Sequence, residues 1–375
     1  MLKLKFKIII LLAVMAYITA IFNFYYPLAS ESSLTIIAGD KKYIFQNYEI
    51  GKSGNEYYLK KASDIVNGIY LDTVIRPINA EVVFKSNGEF YITNSKNGTE
   101  IDKPKLLNDI SLALNSSVTN VYATFIITPP QVTKQDLINL TILRSEFTTY
   151  YPYSTPDRKL NIKLCASKIN GTTLKSGEEF SFNNKVGKRT EENGFKPAKI
   201  IFNGSFIDGI GGGVCQVSTT LYNCALLSGL KITEHHSHSL AVSYIEPSFD
   251  AMVNSTICDL KFINTTNNNI YISATADDEK ITFKFFGVLQ NESYERVSIT
   301  KNTILPDEIV KVEDNTLPFG ENVITEQPKN GLESEGYIIT YLNGVRISSK
   351  KIRQDKYNPM RGKMLVGTLN KIWHF

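Results

Sequence analysis

The run GGGVCQVSTTLYNCALLSG, residues 211–229, constrains this chain more than any other stretch. Three successive glycines, Gly211, Gly212 and Gly213, can take positive φ and admit a second backbone at close range, and they lead straight into helical periodicity. Val214, Val217, Leu221, Cys224, Ala225 and Ser228 then share one face of the expected helix. Cys215, Ser218, Thr219 and Tyr222 share another, and Gly229 supplies the stop. The two cysteines therefore meet different surroundings. Cys224 reads as a small hydrophobe of the core. Cys215 lies in the first turn, where unpaired N–H groups and the positive end of the helix dipole favour a thiolate.

All but one of the four histidines follow directly, in KITEHHSHSLAVSYIEPSFDAMV. The alternation of Leu240, Val242 and Tyr244 predicts a strand, on which His236 and His238 face one side and His235 the other. A strand that brings His238, or His236, to the start of the Cys215 helix makes a Cys–His pair, and Asp250 is placed to orient the imidazole. The order Cys, His, Asp is that of papain-like and transglutaminase-like enzymes, and a fold of that kind is the expectation for this region. Gly211, Gly212, Gly213, Gln216, Ser218, Thr219 and Tyr222 are the expected substrate-binding residues, with backbone N–H groups at the glycine junction stabilising an oxyanion. Two other readings stay open. One is a zinc site using Cys215, His236 and His238, against which stands the lack of a short repeated ligand spacing. The other is a non-catalytic binding or scaffolding domain.

The chain has 375 residues, too many for one ordinary core, so several domains are expected. A formal net charge of +4 with scattered basic residues excludes the stripe that tracks a nucleic-acid backbone, and no nucleic-acid partner is expected. MLKLKFK followed by IIILLAVMAYITAIFNFYYPL reads as a cytoplasmic stub and transmembrane signal-anchor over 1–30, with the body outside the cytoplasm. No Ala-x-Ala site favours the rival, a cleaved signal peptide. The cysteines, Cys165, Cys215, Cys224 and Cys258, are too few for a disulfide framework, although a single bridge such as Cys165 to Cys258 is open. Nothing calls for a cofactor.

Residues 31–142 read as a small α+β region, with an Asn-Gly hairpin at Ser86–Gly88 and a helix after Asp102. Residues 143–285 form the central α+β domain. Residues 290–370 carry strands of four to eight residues broken by glycines, with a further hairpin at Tyr341–Gly344, and predict a thin all-β module. The whole is thus expected to be an α+β multidomain protein with one membrane-spanning helix.

NGTTLKSGEEFSFNNKVG, GGGVCQVSTTLYNCALLSGL and HHSHSLAVSYIEPSFDAMV resemble, in that order, the motifs of the VanW family, named from glycopeptide-resistance gene clusters and common in Gram-positive bacteria. Residues 78–140 are similar to a peptidoglycan-binding domain that often precedes it, and VRISSKKIRQDKYNPMRGKMLVGT resembles the end of a G5 domain. The resemblance implies an envelope protein whose partner is peptidoglycan or another cell-wall polymer, and the anchor read over 1–30 adds the membrane as a second partner. If its centre is catalytic, the expected chemistry is Cys-dependent acyl transfer or amide hydrolysis on wall peptides.

Overall fold

The computed structural model describes residues 33–116, 118–202 and 205–369, which fall into two units. The first comprises residues through Ala80 together with Asn94–Thr133. It contains β1 (Leu34–Ala38), β2 (Lys41–Phe45), β3 (Ile50–Ser53), β4 (Glu56–Leu59) and α1 (Ala62–Thr73). The hairpin β5 (Val82–Phe84) and β6 (Phe90–Ile92), turning at Gly88, belongs to the second unit. The first unit then continues with β7 (Gly98–Ile101), α2 (Lys103–Leu114), β8 (Asn120–Tyr122) and β9 (Phe125–Thr128). Asp102 caps α2 by accepting from the Lys105 N–H at 2.9 Å, as its position predicts. Leu34, Ile36, Val66, Ile69, Leu106 and Ile110 close this core.

The second unit runs through α3 (Lys134–Asn139), β10 (Ile142–Tyr150), α4 (Pro156–Ile169), β11 (Thr172–Leu174), β12 (Glu179–Ser181), α5 (Phe182–Val186), β13 (Pro197–Phe202), β14 (Ser205–Ile210) and α6 (Val214–Leu227). It continues with β15 (Lys231–Glu234), β16 (Lys261–Ile263), β17 (Ile270–Ala276) and β18 (Lys280–Gly287). An antiparallel sheet of order β10-β18-β17-β11 receives α4 and α6, which bury Ile162, Cys165, Ile169, Val217, Leu221 and Cys224 against Ile272, Ile281, Phe283 and Phe285. Each of the Ile, Val, Leu and Phe side chains among these, fully buried, contributes about 1.5–3 kcal/mol. The C-terminal module consists of β19 (Glu292–Ile304), β20 (Val310–Pro318), β21 (Asn322–Glu326), β22 (Gly331–Leu342), β23 (Val345–Tyr357) and β24 (Lys363–Leu369), in sheets of order β19-β22-β23 and β20-β24-β21.

This architecture corrects the expected fold class. Among the described residues the protein is mostly β, 44% strand against 20% helix, so neither the α+β description nor the papain-like or transglutaminase-like centre stands. Part of the reason lies in the C-terminal module, where β19, β22 and β23 run 13, 12 and 13 residues. Gly336, one of the glycines read from sequence as breaks, lies inside β22, and Gly331 begins it. A Cβ on Gly336 would sit 2.9 Å from the Ser248 carbonyl oxygen, so this glycine marks a close approach of another chain segment and not an interruption.

The strand expected over the histidines is also absent: β15 ends at Glu234, and residues 235–260 hold neither helix nor strand. Their backbone groups bond elsewhere, Met252 N–H to the His236 carbonyl (2.8 Å) and Asn358 N–H to the Ser239 carbonyl (2.7 Å). The four cysteines are free, so the bridge left open between Cys165 and Cys258 is not formed.

The single-pass anchor, and with it the membrane partner and the localisation built on it, is likewise corrected. Among the described residues no helix is long and apolar enough to cross a membrane, and the run at 1–30 lies outside the described residues.

At the glycine junction the constraint is steric. A Cβ on Gly212 would lie 2.7 Å from the Ala198 carbonyl carbon, and Gly213, at φ 103°, is the residue before α6. Gly212→Ala is expected to destabilise the second unit by about 1–3 kcal/mol through overpacking against backbone that cannot yield. A thermal melt of the full chain indistinguishable from the parent's would contradict this.

Candidate functional site

Cys215 sits in the first turn of α6, half-buried, with Sγ 3.3 Å from the Val253 carbonyl oxygen that the neutral thiol donates to. The imidazole of His238 stands close enough to the same sulfur for each group to shift the other's pKa. His238 is only 5% exposed and Asp250 1%. Asp250 Oδ2 lies 2.6 Å from His238 Nδ1 and accepts the His238 backbone N–H at 2.7 Å. With Nδ1 engaged by the carboxylate, Nε2 is the ring nitrogen left for the thiol. Cys215, His238 and Asp250 are thus brought together, the imidazole hydrogen-bonded to the carboxylate and close to the thiol.

His236 is not part of it. Its Nε2 is 3.0 Å from Glu234 Oε1, and its ring leaves the sulfur to His238. His235 stands edge-on to Tyr222, with ring centroids 5.6 Å apart.

The electrostatics follow from these contacts. Burial disfavours charge on all three groups, but the bond and charge of His238 outweigh it at Cys215 and hold that thiol below its ordinary range. Burial likewise opposes the imidazolium, yet the bonds to Asp250 and Cys215 lift His238 to about 9. The Asp250 carboxyl, in spite of burial, is held down to about 2 by His238, Arg353 and Tyr357. Cys224, buried without such a partner, is pushed up to about 12, and burial also raises Cys165. Arg189 adds positive charge near Cys215, with its own Nη2 donating to Asn183 Oδ1 (2.6 Å).

Several residues expected to bind substrate are engaged inside the protein. Gln216 accepts from Arg158 Nη2 (2.7 Å) and donates to Thr149 Oγ1 and the Tyr150 carbonyl (both 3.0 Å). Ser218 donates to the Ala251 carbonyl at 2.5 Å, Thr219 accepts the Ala251 N–H at 2.9 Å, and the Tyr222 side chain is fully buried. Gly211, Gly212 and Gly213 pack against Arg189, Ala198, Ile162 and Arg158, and serve the backbone's close approach. The N–H groups of Val214 and Gln216 bond the Gly211 and Gly213 carbonyls, so neither is a free donor to an oxyanion. These side chains are buried because α6 is covered nearly all round, which its two-faced pattern did not disclose. Among the described residues no group of three or more His, Cys, Asp or Glu side chains is placed to hold a metal ion.

Two groups that sequence reasoning missed come from β23. Tyr357 donates to Asp250 Oδ1 at 2.6 Å, and Arg353 Nη2 approaches the same oxygen at 3.3 Å while its Nη1 donates to the Asp250 carbonyl. No local signal could have found them, since more than a hundred residues separate them from Asp250.

The domain matches are those of a cell-wall-associated protein. Residues 157–286 match the VanW-like protein family, residues 296–369 the G5 domain, and residues 14–122 the family described as "Putative peptidoglycan binding domain". The resemblance read from the motifs therefore holds, and the chain carries a VanW-like domain between the other two. Over 129 residues, 34% of this chain, it is 41% identical to "Uncharacterized protein YoaR" of Bacillus subtilis (strain 168), of which the match takes in 43%. Over 148 residues, 38% of this chain, it is 32% identical to "Vancomycin B-type resistance protein VanW" of Enterococcus faecalis (strain ATCC 700802 / V583), of which the match takes in 54%. The chain thus spans about half the length of the curated relatives it matches. A solved G5 domain of an IgA1 protease is 20% identical and covers 21% of this chain and 92% of its own, with a TM-score of 0.16.

In native protein, Cys215 is expected to alkylate with an apparent pKa below the ordinary thiol range, while Cys165 and Cys224 stay unmodified. Peptide mapping after timed alkylation across pH checks this, and a Cys215 profile with an ordinary thiol pKa would contradict it. Stability should follow the same groups. The folded His238 pKa lies above its ordinary 6.5, so its contribution is complete below that value and lost as pH rises through about 9. The folded Asp250 pKa lies below its ordinary 3.8, so its contribution is complete above that value and lost as pH falls through about 2. Melting temperatures across pH read both flanks.

Proposed function

We propose that the VanW-like domain uses Cys215 as a nucleophile for acyl transfer or amide hydrolysis on the peptides of the bacterial cell wall. The observation that carries this reading is the grouping of Cys215, His238 and Asp250, with the sulfur at a helix start and the nearby imidazole backed by a buried carboxylate. Sγ attacks the peptide carbonyl carbon and forms a C–S bond. As the C–N bond breaks, the His238 imidazolium gives its proton to the departing amine. Water or a second amine then attacks the thioester, His238 takes the proton of that nucleophile, and Sγ leaves. Asp250 keeps Nδ1 protonated and the ring in register throughout. The wall enters through the matches on either side: the peptidoglycan-binding and G5 domains supply the class of polymer presented to the thiol.

One observation favours the non-catalytic alternative, a wall-binding scaffold. Two surface hollows, one lined by Tyr48, Glu49, Lys60 and Asp64 and the other by Pro156, Lys159, Leu160 and Lys163, are lined without Cys215, His238 or Asp250. His238 is almost wholly covered. In that case the triad-like chain would be a structural network within a binding domain.

The two readings differ in covalent chemistry. The full chain incubated with purified wall stem peptides is expected to form a thioester adduct on Cys215, seen by intact mass, and to release or exchange an amine product. Cys215→Ala should remove both while retention on purified sacculi is kept. Product formation unchanged in Cys215→Ala, or no adduct and no product with any stem peptide, leaves the scaffold reading.

A further inference from the structure

We propose that the C-terminal β module is a working part of the thiol site, with Tyr357, supported by Arg353, as a positioning residue that fixes Asp250 and through it the imidazole of His238. The proposal rests on the nucleophile reading of Cys215 given above. It begins from the acceptor capacity of one carboxylate. Two oxygens offer about four lone-pair positions, and Asp250 has four side-chain or backbone donors arranged around them. Oδ2 takes the His238 backbone N–H and faces Nδ1, while Oδ1 takes Tyr357 Oη–H and faces Arg353 Nη2. Half of the donors therefore come from β23. Without them Oδ1 would be a buried, unpaired acceptor, and the carboxylate would be free to turn away from the ring.

The strand is built to hold this position. Arg353 is 5% exposed, and its guanidinium is gripped by both oxygens of Asp355 at 3.0 Å, two residues along β23. The Tyr357 hydroxyl accepts the Ser248 N–H at 2.7 Å while donating to Asp250, so one oxygen ties two points of the loop. Ser248 has φ 65°, a left-handed conformation that an ordinary residue holds only when its surroundings dictate it. Those surroundings include the module: Ser248 Oγ lies 2.7 Å from Ser334 Oγ on β22, and its carbonyl faces Gly336. From β19, Arg296 donates to Asn223 of α6 at 2.7 Å and lies over the Phe249 ring, 4.8 Å from its centroid. Three strands of the module thus converge on residues 248–250. A module acting only as a wall-binding appendage would have no need of a buried Arg–Tyr pair aimed at one carboxylate.

The test uses the full chain. Tyr357→Phe keeps the ring and removes the hydroxyl. If Tyr357 positions Asp250, the apparent pKa of Cys215 alkylation rises by about one unit, and the rate at a pH below both pKa values falls about tenfold. Asp250→Asn serves as the reference and shifts the profile in the same direction. Ser334→Ala, which loosens the module's hold on the loop without touching Asp250, lowers the melting temperature and leaves the profile in place. An unchanged Tyr357→Phe profile beside a shifted Asp250→Asn profile overturns the inference and leaves the nucleophile reading intact. So does a fall in thiol pKa, the sign expected if the hydroxyl merely withdraws charge from Asp250. A profile that Asp250→Asn also fails to move overturns the nucleophile reading itself. Should Tyr357→Phe not fold, Arg353→Lys, which keeps the charge and loses the fork, is read by the same profile and the same signs.

Discussion

Ser218, Thr219 and Asn223, neighbours on one face of α6, each bond the backbone of residues 249–251: Asn223 to the Phe249 carbonyl at 2.8 Å, Thr219 to the Ala251 N–H and Ser218 to the Ala251 carbonyl. A loop held this way has no ladder of its own, yet its polar groups are satisfied inside the protein. Each bond contributes about 0.5–1.5 kcal/mol net, and removing one partner costs more, because the other is left buried without an acceptor or donor. The helix that offers Cys215 at its start therefore also fixes the loop that carries Asp250. Thiol and carboxylate share one rigid support, and His238 is fitted between them.

Three cysteines of the second unit take opposite characters from their placement alone. Cys224, near the end of α6, has Sγ 3.2 Å from Ser145 Oγ and faces the Phe283 carbonyl in the core, where no cation offsets the cost of ionising. Cys165 is buried within α4 in the same way. Cys215, nine residues before Cys224 on the same helix, has the helix start, an imidazole and two arginines around it. Burial acts against the thiolate in all these cases, and only at Cys215 are there charges strong enough to reverse it.

Much of the local structure was legible. Asn-Gly and glycine signals marked the hairpins at Gly88 and Gly344, Asp102 announced a helix cap, and the glycine run announced the start of α6. Residue type and order singled out Cys215, His238 or His236, and Asp250 as candidates, without choosing between the two histidines. Three features were not legible. Alternation at Leu240, Val242 and Tyr244 suggested a strand, but periodicity cannot foresee that side chains of α6 and backbone of the C-terminal module will take the loop's hydrogen bonds. The polar face of α6 suggested contacts to a ligand, but the pattern is identical when the contact is a loop of the same chain. Glycines in β22 suggested breaks, although they mark where a second segment comes within van der Waals reach.

The division between what sequence and tertiary structure determine is one of range. Helix starts, caps and two-residue turns depend on groups within about four positions of each other, so residue identity and spacing suffice to place them. The chemistry-bearing residue types, and the sulfur's place in the first turn of a helix, follow on the same scale. Which histidine meets the sulfur, which face of α6 is covered, and which groups hold Asp250 are contacts across tens to more than a hundred residues. Arg353 and Tyr357 reach Asp250 only because the strand carrying them packs on the loop, and nothing near them in the chain records that meeting.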